Sequence, residues 1–216
     1  MKTITLISQK GGAGKTTLAV HLAVAAELCG IPTVLIDIDP QGSSRVWAEQ
    51  RGGNAPEVLT DQPRQLPSII KKAEEAGAGL VVVDTAPNAD QAALTAARAA
   101  DLIIIPCRPA IYDLAAMLAS VDLAELAKKP HMAVINAAPV QGDSAEDARK
   151  NLTGQGVTVS DVVIHHRAAF ANSAISGLTA QEYEPRGKGA SEILALFTEI
   201  ADRLGLAVSL AADVES

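Results

Sequence analysis

Along the chain, short apolar runs rich in β-branched residues alternate with longer stretches of helical periodicity. The runs are Ile4 to Ser8, Thr33 to Asp37, Leu80 to Asp84, Leu102 to Pro106 and Met132 to Asn136, each closing on polar or turn residues. The helical stretches are Thr16 to Cys29, Gln65 to Ala76, Gln91 to Ala100, Tyr112 to Ala127 and Ala190 to Leu204. Gly30 with Pro32 stops the first of these, and Gly77 stops the second. Continuous apolar runs that alternate with helices predict strands buried on both faces, so the expected fold is α/β: a doubly wound, mainly parallel sheet with helices on both faces. Val157 to Ile164 and a short run near Val58 are two further strand candidates. Residues 1–205 are expected to form a single domain, with 206–216 an extension or a frayed tail.

Composition narrows the possible functions. Hydrophobic residues make up 48% of the 216, but aromatics only 2%, so the core must be aliphatic and a base-stacking module for single-stranded nucleic acid is disfavoured. No basic leader precedes an apolar stretch and no apolar run of about 18 residues occurs, which points to a cytoplasmic protein without a membrane span. Cys29 and Cys107 lack metal-ligand spacing and read as small buried residues. The adjacent His165 and His166 likewise lack the further ligands that a metal would need. A net charge of −7 leaves room for a local basic patch but argues against a protein coated in cations.

In open parallel sheets ligands bind beyond the carboxyl ends of the strands, so the polar residues that follow each run carry the candidate chemistry. After the first run stands Gln9-Lys10-Gly11-Gly12-Ala13-Gly14-Lys15-Thr16-Thr17, followed at once by a helix. Gly11, Gly12, Ala13 and Gly14 can turn successive N–H groups toward phosphates, Lys15 can reach the β- and γ-phosphates, and Thr16 can hold Mg²⁺, with Thr17 completing the cradle. The second run ends in Asp37-Ile38-Asp39-Pro40-Gln41-Gly42, where a carboxylate can bind the metal or orient an attacking water. The third ends in Asp84-Thr85-Ala86-Pro87, the pattern of a Walker B acid that holds Mg²⁺-bound water, with a switch loop after it.

The strict GxxxxGK[ST] pattern fails, because Gln9 occupies its first glycine position; KGGxGKTT with the extra Lys10 is met instead. From the first strand to at least residue 140 the chain therefore resembles the ParA/MinD family of signature-lysine P-loop ATPases. That resemblance implies an ATP-dependent homodimer in which Lys10 crosses to the other copy's phosphates. It also implies that Asp39 supports hydrolysis and Mg²⁺ binding, and that Asn136 and Pro109 lie near the adenine. No NKxD-type motif for guanine is visible, which favours ATP.

The length, the DPQG after the second strand and Asp113 after the fourth are similar to the compact ParA proteins of plasmid partition loci. With a first strand that begins at residue 3 or 4, no operator-reading domain is expected upstream. The resemblance then implies plasmid or chromosome partition: the ATP dimer holds nonspecific DNA, becomes nucleoid-associated, and is released when a ParB-like protein stimulates hydrolysis. The alternative is positioning of a protein cargo through an adaptor: a carboxysome, a chemoreceptor cluster or conjugation machinery. Arg149, Lys150, Arg167, Arg186 and Lys188 are the candidates for phosphate contacts. The C-terminal tail carries acids where a membrane-binding helix would carry Lys or Arg, so no membrane partner is expected.

Overall fold

The computed structural model describes residues 1–87 and 90–209, with only the backbone of Asp90, so the acidic end of the tail lies outside the described residues. The elements follow in the order β1 (Lys2–Leu6), α1 (Lys15–Leu28), β2 (Thr33–Asp37), α2 (Ser43–Arg51), β3 (Glu57–Thr60), α3 (Leu66–Glu75), β4 (Leu80–Asp84), α4 (Asp90–Ala99), β5 (Leu102–Cys107) and α5 (Ile111–Leu126). They continue with β6 (His131–Ile135), α6 (Ser144–Gly154), α7 (Ala168–Ile175), α8 (Ala180–Tyr183) and α9 (Lys188–Leu204).

The strands form one six-stranded sheet in the order β3-β2-β4-β1-β5-β6, and every pairing is parallel. Alternation along each strand divides its side chains between two layers. Ile4, Leu6, Leu35, Val82 and Ile104 pack with α1 and α9, whereas Ile103, Ile105 and Ile135 turn to the face covered by α4, α5 and α6. Val34, Ile36, Val81 and Val83 meet α3 and α4 on that second face. Because β1 lies between β4 and β5, the loop after β1 emerges at the centre of the sheet, beside the ends of β2 and β4.

β2 and β4 have the boundaries their apolar runs predict, but β1 starts two residues earlier. Of its two threonines, Thr5 donates its hydroxyl to the Ala96 carbonyl inside the fold, and the backbone N–H of Thr3 donates to Asp101. Val157 to Ile164 does not form a strand. It runs beside β6 with one isolated bridge, Val159 to Ala133, and a few backbone bonds, such as those of the Ser160 and Ile164 N–H groups to the Ala133 and Ile135 carbonyls, and the Ser160 hydroxyl donates to Glu199 on α9. Helix α2 escapes the apolar pattern because Trp47 is its one buried large apolar residue, and α7 because its buried positions are Ala169 and Ser173.

Candidate nucleotide site

The loop between β1 and α1 is held by its own geometry. Gly12 and Gly14 have φ of 75° and 93°, values that a side chain resists. At Gly14 the space is also taken, since a Cβ there would lie 2.1 Å from Asn136 Nδ2. That amide donates to the Ala13 carbonyl at 2.7 Å, so Asn136, at the end of β6, clamps the loop from the far side of β5. Lys15 opens α1 and is 7% exposed; burial lowers its pKa, against the opposing pull of the Asp84 and Asp39 charges.

Three acids converge on the loop from β2 and β4. Asp84, fully buried, accepts hydrogen bonds on Oδ2 from the Thr16 hydroxyl at 2.7 Å and the Ser44 hydroxyl at 2.9 Å. Burial pushes its pKa up to about 7, although both hydroxyls and the Lys15 charge favour the ionised form. Its Oδ1 is buried with no hydrogen-bond partner among the described residues. A carboxylate oxygen with nothing to accept from, beside a threonine hydroxyl on a phosphate-type loop, fits a hydrated divalent cation. Asp37 has a different task. It accepts the N–H groups of Asp39, Ser44 and Arg45, fastening the loop and the start of α2 to the sheet, and burial raises its pKa. Asp39 accepts the Gln41 N–H at 2.9 Å, a turn that keeps its carboxylate on the cavity wall.

Two cavities meet at the loop. One, of about 280 Å³, is lined by Gly11, Gly12, Gly14, Lys15, Thr16, Thr17, Asp39, Gln41, Ser43 and Pro87, and so gathers most of the predicted phosphate and switch residues. The other, of about 420 Å³, shares Gly12, Gly14 and Thr17 and extends past Asn136 to Arg108, His165, Arg167 and Phe170. Pro109 is half-buried and is not among the residues that line either cavity; its neighbour Arg108 is. Lys10 pairs at 2.8 Å with Asp113 in the first turn of α5.

The five basic candidates do not form one cluster. Arg167 reaches the N-terminal part of α9, where its guanidinium pairs with Glu192 at 2.5 Å and its Cδ lies 3.5 Å from the position of a Gly189 Cβ. Arg186 and Lys188 are exposed at the start of the same helix. Arg149 instead ties α6 to the carbonyls of Ser160 and Asp161, and Lys150 is exposed beside Glu146 at 3.6 Å. Ser44 and Phe170 are site residues that sequence reasoning missed, and Arg108 is singled out by the sequence only as part of the loop that ends the fourth strand. Ser44 and Phe170 lie on helices the apolar pattern does not mark, and Arg108 shows no signal beyond its place at a strand end.

A glycine-bent loop between a central strand and a helix, facing acids from two neighbouring strands, defines a P-loop nucleotide-binding α/β protein. Residues 4–180 match the family described as the CobQ/CobB/MinD/ParA nucleotide binding domain, and the chain belongs to that family. The maintenance of carboxysome distribution protein A of Gloeobacter kilaueensis is 35% identical over 207 residues, covering 94% of each chain. Protein ParA of Rhizobium radiobacter is 36% identical over 118 residues, 52% of this chain and 51% of its own. Among solved structures, the septum site-determining protein MinD of Pyrococcus horikoshii, complexed with Mg-ADP, superposes with a TM-score of 0.76 at 20% identity, covering 94% of this chain and 97% of that one. Apo McdA of Cyanothece gives 0.75 at 17% identity, covering 95% and 100%. At those identities the superpositions speak for the fold alone. No helix among the described residues is long and apolar enough to cross a membrane.

Proposed function

We propose that this chain is an ATP-switched positioning ATPase that binds ATP with Mg²⁺, pairs with a second copy, holds DNA without sequence preference and is reset by hydrolysis. The cargo is proposed to be a protein assembly of the carboxysome type, engaged through an adaptor. The relative named for carboxysome distribution supports this choice because it combines 35% identity with a match over 94% of each chain, whereas the ParA relative matches about half the chain. Comparison thus favours the cargo-positioning alternative over partition. Plasmid partition remains the second reading, favoured by the identity to ParA in that half.

The observation that carries the ATPase reading is the Thr16–Asp84–Ser44 constellation, with an Asp84 oxygen beneath the P-loop that has no partner among the described residues. In the proposed complex the loop N–H groups and Lys15 hold the β- and γ-phosphates. Thr16 and Asp84 would hold Mg²⁺. The bound metal would neutralise charge on the phosphates. Asp39 orients water rather than deprotonating it outright, so intrinsic turnover is slow and a partner supplies the acceleration. Lys10 leaves Asp113 to reach the other copy's phosphates. Arg186 and Lys188, exposed and without an ion pair among the described residues, are the stronger DNA candidates. Arg167 and Arg149 are already committed to internal partners.

The test is binding of the purified protein to unrelated duplex DNA with ATP, with ADP and without nucleotide, at moderate and raised salt, beside Lys10→Ala. Binding with ATP alone, lost in high salt and in the variant, supports the reading; no binding under any condition overturns DNA tethering. Deleting the gene in its host separates the two cargo readings: clumped protein assemblies support the first, and plasmid loss with normally spaced assemblies supports the second.

A further inference from the structure

The two left-handed glycines of the P-loop are each met by a side chain from the end of a neighbouring strand. Asn136, after β6, takes the space beside Gly14 and commits its amide to the Ala13 carbonyl. Arg108, after β5, brings a guanidinium nitrogen to 3.9 Å from where a Gly12 Cβ would stand. Unlike Asn136, Arg108 is exposed, and its side chain has neither an ion pair nor a hydrogen bond among the described residues. The backbone holds it there from both sides. Cys107 closes β5, and its carbonyl accepts the Asn136 N–H at 2.7 Å. Pro109 restricts the residue before it to extended conformations, and the Arg108 carbonyl accepts the Ala110 N–H at 2.8 Å.

The surroundings of Arg108 offer it no anion. The cavity of about 420 Å³ that it lines also carries His165, His166 and Arg167, and no Asp or Glu lines it among the described residues. Glu192, set back from that wall, pairs with His165 and Arg167 instead. A guanidinium without a protein anion, fixed over a phosphate-type loop, suits an anionic group of the ligand, which its planar fork can meet with two hydrogen bonds. We propose, resting on the ATP binding put forward above, that Arg108 is a nucleotide-binding residue whose guanidinium contacts the α-phosphate held by the same chain. Position selects that phosphate. Lys15, Thr16 and Asp39, the groups suited to the β- and γ-phosphates with Mg²⁺, line the smaller cavity, which Arg108 does not line. Gly12, Gly14 and Thr17 line both cavities, so a nucleotide passes from one into the other across them. The phosphate next to the nucleoside lies at that crossing, where Arg108 stands over Gly12. Because ATP and ADP share this phosphate, the contact strengthens binding of both and does not discriminate between them.

The experiment titrates wild type, Arg108→Ala and Lys72→Ala with Mg·ADP and with Mg²⁺ and a slowly hydrolysed ATP analogue, at low and raised salt. Lys72→Ala is the control, since it removes one exposed cation from α3. The expected result is a dissociation constant raised about tenfold in Arg108→Ala, by the same factor for both nucleotides, and unchanged in the control. That factor should narrow in raised salt, and the denaturant midpoint of Arg108→Ala should equal that of wild type. Unchanged affinities in Arg108→Ala would overturn the proposal while leaving the ATP reading intact. A loss confined to the ATP analogue would move the guanidinium to the γ-phosphate, and a loss that salt does not diminish would move it to the face of the base; either overturns the α-phosphate contact. Wild type binding neither nucleotide would overturn the ATP reading itself, and this proposal with it.

Discussion

His21 gives a pH signature that can be worked out from the fold. It lies on α1 one turn beyond the P-loop, is almost fully buried, and is held at both ring nitrogens: Nδ1 lies 2.7 Å from the Thr17 carbonyl and Nε2 accepts the Ala180 N–H at 3.0 Å. Those two bonds require the neutral Nδ1–H tautomer, and Phe170 covers the ring edge-on at 5.0 Å. Burial lowers the pKa from 6.5 to about 4, with the Thr17 carbonyl and the Glu182 charge opposing it. Below pH 6.5 the unfolded chain takes up a proton that the folded chain refuses, so stability present above that pH is lost as pH falls toward 4. Between these pKa values the linkage amounts to about 2 kcal/mol at pH 5 and about 3 kcal/mol at lower pH. Asp84 pulls the other way over part of this range, because its raised pKa means that the folded state binds the extra proton. The useful quantity is therefore a difference. Denaturant unfolding of wild type and His21→Gln at pH 7.5 and pH 5 should show the cost of the substitution shrinking by about 2 kcal/mol at the lower pH. An equal cost at both pH values would refute the neutral, doubly bonded histidine.

Three further outcomes follow from the same geometry. Gly14→Ala should fold but lose nucleotide affinity at least tenfold by titration, because its Cβ displaces the Asn136 amide from the Ala13 carbonyl and its φ of 93° is strained. Arg51→Ala should lower stability by about 3–5 kcal/mol in denaturant unfolding, since the buried guanidinium pairs with Glu182, donates to the Gly177 carbonyl and stacks over Trp47. Asp39→Ala should bind ATP yet remain associated, with hydrolysis measured as phosphate release falling at least tenfold; turnover at the wild-type rate would remove Asp39 from the hydrolytic role.

How much of this was legible in the chain depends on how locally each feature is encoded. The sheet could be read because β2, β4 and β5 are buried on both faces, and a short, continuous apolar run between polar turns fits a buried strand and little else. The P-loop could be read because its backbone demands glycine at specific steps and its chemistry demands Lys15 and Thr16 next to one another. What could not be read is assembled across distance. The Asn136 clamp on Ala13 joins residues 123 positions apart, and Ser44 reaches Asp84 over 40. A serine in a polar helix with one buried large apolar residue carries no mark of that contact. The basic candidates show the same limit from the other side. Arg149, Arg167 and Arg186 look alike as letters, yet Arg149 bonds two carbonyls, Arg167 pairs with Glu192 and Arg186 stands exposed, so only tertiary partners separate a structural guanidinium from one free to meet a phosphate. Lys10 sharpens the point. Its motif position marked it as functional, but its link to Asp113, and through Asp113 to the exposed Ile111 and Tyr112, is visible only once α5 is seen to start beside the loop. Function here therefore rests on a local cradle written into adjacent residues, and on a set of long-range contacts that hold the cradle in shape.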